Sequence, residues 1–430
     1  MEYVKFPRVL IISHNVLSHN SNNGKTIFSF FNNWPEENLS QIYFRNETPD
    51  FTSSISYFRI LDTDILRSLF MRSNFYGKII TSFGEKSSVS NNVFWFRLFK
   101  LPVFYILRDI LWSFKKSNNN DLNNWLNRFS PEIVFFVGSN NTFSYDLTFE
   151  IIQKSNIPLV MYFTDDYVLP KLTIDPFWWM RLIRVRQRFL LSLKISQKRF
   201  VIGESMADEY SKRFGGSFCP LMNIVDRPKL NNANLPKKNN VLLVSYLGNI
   251  DLNRWRALAD IGKEVKKLVS EGLSIQFKIY SLQKPSNEIL KSINRPPFLI
   301  FVGPILKKNE IESVINTSDI VIHVESNKRR YRHITRFSVS TKISEYLSYG
   351  KCILAYGPID VASISYLKKY DAAIICKTRQ EVYENLKNIS LNPWLKNKFI
   401  ESALKLAKEK HRRPNMRGIL LNAIYEFSNY

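Results

Sequence analysis

Short runs of β-branched and aromatic residues recur along this chain, separated by segments of helical periodicity. That alternation is the pattern of a parallel sheet covered by helices. In the first half the runs are Arg8 to Ser13, Gln41 to Phe44, Ile133 to Val137, Leu159 to Phe163 and Arg199 to Ile202. In the second half they are Val241 to Leu247, Ile275 to Tyr280, Leu299 to Val302, Ile320 to Val324, Cys352 to Tyr356 and Ala372 to Cys376. A chain of 430 residues is too long for one ordinary core, so two αβ domains are expected.

Arg227 to Asn240, RPKLNNANLPKKNN, is polar, holds two prolines and has no periodicity, which suits a linker. The expected organisation is therefore a first domain over 1–226, a linker over 227–240, a second domain over 241–393 and helices over 394–430 that pack back on the first domain. There is no internal repeat, and the low-complexity patches are short Asn-rich stretches near Asn20 and Asn118.

The balance of 61 Lys and Arg against 37 Asp and Glu leaves a net charge of +24, which calls for an anionic partner. Nucleic acid, an anionic membrane surface and phosphorylated small molecules all fit that sign. Nucleic acid is disfavoured, because the basic residues are dispersed and no zinc, RRM-like or helix-turn-helix pattern is present. Cys219, Cys352 and Cys376 lie far apart, with no metal-ligand spacing, as in a protein of a reducing cytoplasm. The N-terminus lacks the features of a signal peptide. No run reaches about 18 apolar residues, the usual need of a spanning helix.

Two segments of the first half mix aromatic and basic residues: VFWFRLFKLPVFYILRDILWSFKK from Val93 and FWWMRLIRVRQRFLLSLKISQKRF from Phe177. Both suit association in the plane of an anionic inner-membrane surface, and both equally suit core helices with basic outer faces.

The most informative stretch is Phe337 to Gly357, FSVSTKISEYLSYGKCILAYG, which reads as loop, helix, glycine stop and buried strand. Ser340 or Thr341 caps the helix, Ile343, Tyr346 and Leu347 form its apolar stripe, and Gly350 ends it. Lys342 and Glu345 share a polar face beside free N–H groups. A cation at a helix N-terminus stabilises a departing diphosphate, and a carboxylate accepts hydrogen bonds from ribose hydroxyls. A surface Lys/Glu pair is the plainer alternative. Upstream, a strand ends at Gly248-Asn249 before a helix that begins near Arg254, and FLIFVGP ends a strand at Val302-Gly303. Those glycines allow a ligand close to the backbone or make tight turns.

Order and content together resemble GT-B glycosyltransferases, especially family 4-like bacterial enzymes of surface polysaccharide and lipid-linked glycan synthesis. The resemblance runs through RVLIIS with Gly24, GESMADEYSKRFGGSFCPLMNIVD, YLGNIDLNRW, FVGPILKKNEIESVINTSDIVIHV and STKISEYLSYGKCILAYG. It implies an α/β GT-B fold, two Rossmann-like domains with parallel sheets facing across a cleft. It also implies that Gly248, Asn249 and Arg254 lie by the diphosphate, Val302 and Gly303 near the base, and Ser340, Thr341, Lys342 and Glu345 on diphosphate and ribose. Gly24 would face the donor from the first domain. Two departures stand out. Many relatives carry a glutamate where this chain has Phe337, with Glu325 too far upstream to match, and a basic residue where it has Asn249. The loop Ser326 to Arg336, SNKRRYRHITR, is a candidate source of the missing charge.

On the acceptor side, LVMYFTDD delivers Asp165 and Asp166 at the carboxyl end of a strand, where open αβ sheets bind ligands. Either is a candidate for the acceptor's proton, and helix capping is the alternative. His14, a third catalytic candidate, and Glu204 also sit at strand ends that would face the cleft, with a structural role as the alternative for each. No metal and no resident cofactor are expected; the co-substrate would be a UDP- or GDP-type nucleotide sugar.

The expected activity is sugar transfer from a nucleotide diphosphate donor to a hydroxyl of a growing surface glycan or lipid-linked oligosaccharide, with retention. The setting would be bacterial capsule or lipopolysaccharide synthesis at the cytoplasmic face of the inner membrane. A catalytically silent GT-B scaffold is the alternative.

Overall fold

The computed structural model describes residues 6–18, 22–32, 34–49, 54–71, 74–80, 102–115, 118–225 and 241–428. The proposed linker and the start of the first aromatic-basic segment, 93–101, lie outside them. The chain divides into two compact units. One comprises Met1–Ile202, Met206–Leu221 and Arg417–Tyr430, the other Gly203–Ser205 and Met222–Met416.

The first unit holds an eight-stranded sheet of β1 (Val9–Ser13), β2 (Leu39–Tyr43), β3 (Ser56–Arg59), β4 (Lys78–Ile80), β5 (Ile133–Val137), β6 (Leu159–Phe163), β7 (Ser196–Val201) and β8 (Cys219–Pro220). Their order is β4-β3-β2-β1-β5-β6-β7-β8, parallel throughout except for the β3–β4 pair. Three of these strands go beyond the sequence reading. SISYFRI carried the β-branched and aromatic signal for β3, whereas β4 and β8, three and two residues long, are too short for any periodicity. The second aromatic-basic segment also divides: it is helical over Pro176–Ile195, and its tail becomes β7.

Much of the unusual 14% aromatic content goes into the core of this unit. Trp112 stacks on Phe143 with ring centroids 4.0 Å apart, and Phe31 meets Phe135 edge-on. Each such ring contributes roughly 1.5–3 kcal/mol through burial.

The second unit is a six-stranded, wholly parallel sheet of β9 (Leu242–Leu247), β10 (Ile275–Tyr280), β11 (Leu299–Gly303), β12 (Ile320–Val324), β13 (Cys352–Tyr356) and β14 (Ile374–Cys376). The order β11-β10-β9-β12-β13-β14 reverses direction between β9 and β12. All six were legible as β-rich runs: β12 and β13 are buried throughout and have no need to alternate, whereas β10 alternates buried and half-buried residues. In the first sheet the reversal lies between β1 and β5. Open α/β sheets bind ligands outside the carboxyl ends of the strands at such a reversal.

The tail forms the helix Lys396–Leu406, a wider π turn over Ala407–His411 and the helix Arg413–Ser428, with Pro414 in its first turn, where a missing N–H does no harm. His411 is buried at this break. Its Nδ1 is 2.9 Å from the Asn223 carbonyl and its Nε2 2.9 Å from the Tyr366 hydroxyl, a pairing that suits the neutral ring.

Candidate functional site

In the second unit the residues singled out from sequence gather at the carboxyl ends of β9, β11 and β12. Gly248 follows β9 directly. The Tyr246 hydroxyl donates to the Asn249 carbonyl at 2.6 Å and so closes the turn, and a Cβ on Gly248 would come within 2.8 Å of that hydroxyl. Glycine is needed here for space. Gly303, at the end of β11, has φ +100°, a conformation side chains disfavour, and open space around it. Val302 beside it is 50% exposed, although it belongs to a strand.

Arg254 is the first residue of the helix Arg254–Ser270, and Asn253 before it is left-handed. Its guanidinium is already paired through one nitrogen. Nη2 donates to both carboxylate oxygens of Glu325, at 2.9 and 3.1 Å. Glu325 follows β12 and is 2% exposed. Burial pushes its carboxyl pKa up, against the pull of Arg254 and of hydrogen bonds from Thr335 and Ser363. Ser363 also lies 2.9 Å from His323 Nε2, and His323 is held neutral, its pKa lowered to about 3 by burial and then by Arg254.

Sequence spacing set Glu325 aside as too far upstream; the fold brings it to the site because β12 lies beside β9. The signal was a charged residue ending an apolar run, IVIHVE, at a carboxyl edge. The resemblance expected a glutamate at position 337, where Phe337 instead lies under the Arg336 guanidinium.

The helix Thr341–Ser348 has Ser340 as its cap, with Oγ accepting from the Lys342 N–H at 3.3 Å, which leaves Thr341 as the first helical residue. Lys342 Nζ donates to Glu345 Oε2 at 2.6 Å. The two are partly exposed and offset each other's charge. Tyr346 is buried, and its hydroxyl lies 3.3 Å from both the N–H and the carbonyl of Leu247, which stitches this helix to the end of β9.

The basic stretch 326–336 is not a loop. It forms the helix Arg329–Thr335, on which Arg332 pairs with Asp360 while Arg329 and Arg330 are exposed. The repeated Lys and Arg masked the helical period, since both faces carry charge.

In the first unit, Asp166 Oδ1 accepts from the N–H groups of Val168 and Leu169 at 3.2 and 3.0 Å and from the Tyr210 hydroxyl at 3.0 Å. That is a turn-capping arrangement. Asp165 accepts from the Tyr167 hydroxyl at 3.4 Å. His14 follows β1, its Nδ1 buried without a hydrogen-bond partner among the described residues. Burial, then Arg108 and Arg45, lower its pKa to about 3, so it is a neutral ring and a weak base. Gly24 lies in the first turn of the helix Asn22–Phe31, where a Cβ would fall on the Val16 carbonyl oxygen.

Glu204 belongs with the second unit. It accepts from Tyr370 at 2.6 Å and Lys369 at 2.5 Å, and these bonds outweigh burial to hold its pKa below the ordinary value. Sequence reading missed Asp109, 3% exposed, whose Oδ1 accepts from the Thr142 N–H at 3.1 Å while Oδ2 has no partner among the described residues.

Two α/β units with parallel sheets, each reversing its strand order beside its first strand, have the architecture of the GT-B class. Comparison with solved structures agrees. Anabaena HepE in complex with UDP is 10% identical, with 97% of this chain and 100% of that chain covered and a TM-score of 0.62; the same protein was also solved with UDP-glucose. A glycosyltransferase from Rickettsia africae is 11% identical, with 97% and 98% covered and a TM-score of 0.61. The trehalose-6-phosphate synthase OtsA is 10% identical, with 97% and 99% covered and a TM-score of 0.62. The fold of this chain is therefore GT-B, the fold of these glycosyltransferases. No family model and no curated protein sequence matches it.

Proposed function

We propose that this protein transfers a sugar from a nucleotide diphosphate donor, of the UDP type, to a hydroxyl of a surface glycan or lipid-linked acceptor. The observation that carries the reading is the convergence, at the strand reversal of the second unit, of Gly248, the Arg254–Glu325 pair and the capped helix bearing Lys342 and Glu345, with Gly303 on the same carboxyl edge at the end of β11. UDP bound in HepE, a protein of the same fold, supports the choice of nucleotide.

In this reading Glu325 holds Arg254 in place, and the guanidinium retains donors that Glu325 does not occupy for the diphosphate. Lys342 and Glu345 exchange their mutual bond for two ligand bonds: the ammonium turns to the leaving diphosphate and the carboxylate to the ribose. The free N–H groups at the helix start add partial positive charge. Glu345 fixes the nucleotide and moves no proton. Asp165 and Asp166 are the candidates for contact with the acceptor, each already engaged within its loop. Retention of configuration rests on the family resemblance.

The acceptor would lie on the first unit, at an anionic inner-membrane face reached from the cytoplasm. Two helices support this placement. Pro102–Ser113 and Pro176–Ile195 pack together and leave Leu107, Phe177, Met180 and Ile183 at 45–55% exposure, interspersed with arginines. Among the described residues no helix is long and apolar enough to cross a membrane.

Thermal unfolding with UDP, GDP, CMP and ADP tests the donor site, since a ligand that binds the native state raises its midpoint. UDP should raise it in the wild type and not in Lys342→Ala or Glu345→Ala. No shift with any nucleotide would move weight to a catalytically silent scaffold.

A further inference from the structure

A small pocket of about 90 Å³ lies in the first unit, lined in part by Asn140, Tyr167, Lys171, Trp178 and Arg181. Asn140 comes three residues after β5 and Tyr167 four after β6, so the pocket sits at the carboxyl edge of the sheet, where α/β ligands bind. It is too small for a whole sugar nucleotide, since complete ligand sites run to roughly 300 Å³ or more. Its size suits one group of a few heavy atoms.

Its chemistry is cationic and built. Arg181 Nε and Nη2 each donate to the Asn140 carbonyl at 3.1 Å, and the guanidinium lies 3.8 Å from the centre of the Tyr105 ring. Carbonyl and ring together fix its plane, which lowers the entropy lost when it engages a second partner. Burial holds its pKa below the ordinary value, although an arginine of this kind stays charged at neutral pH. Lys171, on the loop that leads into the same helix, also lines the pocket, and Trp178 supplies an apolar wall. On the same helix as Arg181, Phe177, Met180 and Ile183 are spaced three apart and exposed, so an apolar surface runs beside the pocket.

We propose that this pocket holds a phosphoryl group of the acceptor, with Arg181 and Lys171 as its cationic contacts. The inference rests on the transferase reading and adds the class of acceptor: one that carries phosphate next to the hydroxyl-bearing part. The phosphate belongs either to a soluble sugar phosphate or to a polyprenyl phosphate whose chain lies along the apolar helix face.

Titration calorimetry of the full chain with inorganic phosphate tests it, using the wild type, Lys171→Ala, Arg181→Lys and Lys342→Ala. Phosphate should bind the wild type and Lys342→Ala alike and bind Lys171→Ala about tenfold or more weakly, the effect of losing a charge-assisted hydrogen bond. Arg181→Lys should weaken it too, because an ammonium cannot reproduce the fork. UDP should bind Lys171→Ala as it binds the wild type, which shows that this variant is folded.

Phosphate binding that survives in Lys171→Ala, or that Lys342→Ala abolishes, overturns the proposal. Absence of UDP binding by the wild type counts against the transferase reading, whereas absence of phosphate binding with UDP binding intact counts against this pocket alone. Phosphatidylcholine vesicles with and without polyprenyl phosphate separate the sources. Lys171-dependent capture by the phosphate-bearing vesicles identifies the lipid, and Lys171-dependent binding of free phosphate without vesicle capture identifies the soluble acceptor.

Discussion

Arg254 and Glu325, 71 residues apart, meet as an ion pair in which one guanidinium nitrogen serves both carboxylate oxygens. The side chains are 18% and 3% exposed, so the carboxylate is buried and the guanidinium partly so. Removing one partner strands the other. Arg254→Ala should lower the free energy of unfolding by about 3 kcal/mol in urea without any ligand present, and Glu325→Gln, which keeps the shape and leaves an amide, should cost less. An Arg254→Ala variant as stable as the wild type would mean that the arginine is held for the ligand alone.

The Lys342–Glu345 pair should behave in the opposite way. It is an i,i+3 pair with side chains 26% and 19% exposed, of a kind that contributes about 0.2–0.5 kcal/mol to a helix. Alanine at either position should therefore leave urea unfolding almost unchanged and weaken UDP about tenfold or more. A large loss of stability with UDP affinity retained would return both residues to a structural role.

Gly24→Ala should destabilise the first unit. The added Cβ meets the Val16 carbonyl oxygen, a backbone atom that cannot swing aside, and overpacking of this kind costs about 1–3 kcal/mol. The resemblance assigned this glycine to the donor's phosphates, which by itself predicts lost activity at unchanged stability. Urea unfolding of the ligand-free variant separates the two.

Asp166→Ala should remove three accepted hydrogen bonds and cost about 1–2 kcal/mol, as loss of a cap does. On the proposed reading, Asp165→Ala should reduce turnover beyond what its loss of stability accounts for. Unfolding and transferase assays on the two variants, run side by side, check both outcomes.

Stability should fall as the medium is acidified from pH 6.5 toward 4. His411 titrates at about 4 in the folded chain, against 6.5 as its ordinary value, because burial opposes its charge. His323 is lowered to about 3. Between those values the unfolded chain binds protons that the folded one refuses, so each ring removes up to ~1.4 kcal/mol per pH unit. The loss due to His411 should level off below pH 4, and urea unfolding of His411→Gln should show a shallower decline.

The sheet of the second unit was readable in two ways: β12 and β13 are buried on both faces and appear as apolar runs, while β10 alternates, with Gln276 and Lys278 between buried Ile275, Phe277 and Ile279. Ile275–Tyr280, Ile320–Val324 and Cys352–Tyr356 have the expected boundaries. The short edge strands β4 and β8 were not readable, since pairing with a neighbour alone defines them. The candidate site divides along similar lines. The helix with Lys342 and Glu345 is a local motif whose cap, stripe and stop all lie within a dozen residues. Glu325 takes part through strand order, and the Arg181 pocket through the packing of a helix on two loops. Neither relationship leaves a spacing that a linear reading can find.

Tyr346 follows Glu345 in its helix, and its hydroxyl is held between the N–H and the carbonyl of Leu247, the residue before Gly248. In the proposed donor site the glycine turn and this helix are thus joined as one piece by hydrogen bonds. On that reading, a donor preference redesigned at Glu345 should disturb diphosphate and ribose together. Val302, half exposed at the tip of β11, can be exchanged with that piece left in place, which makes it the position from which a different base should be sought.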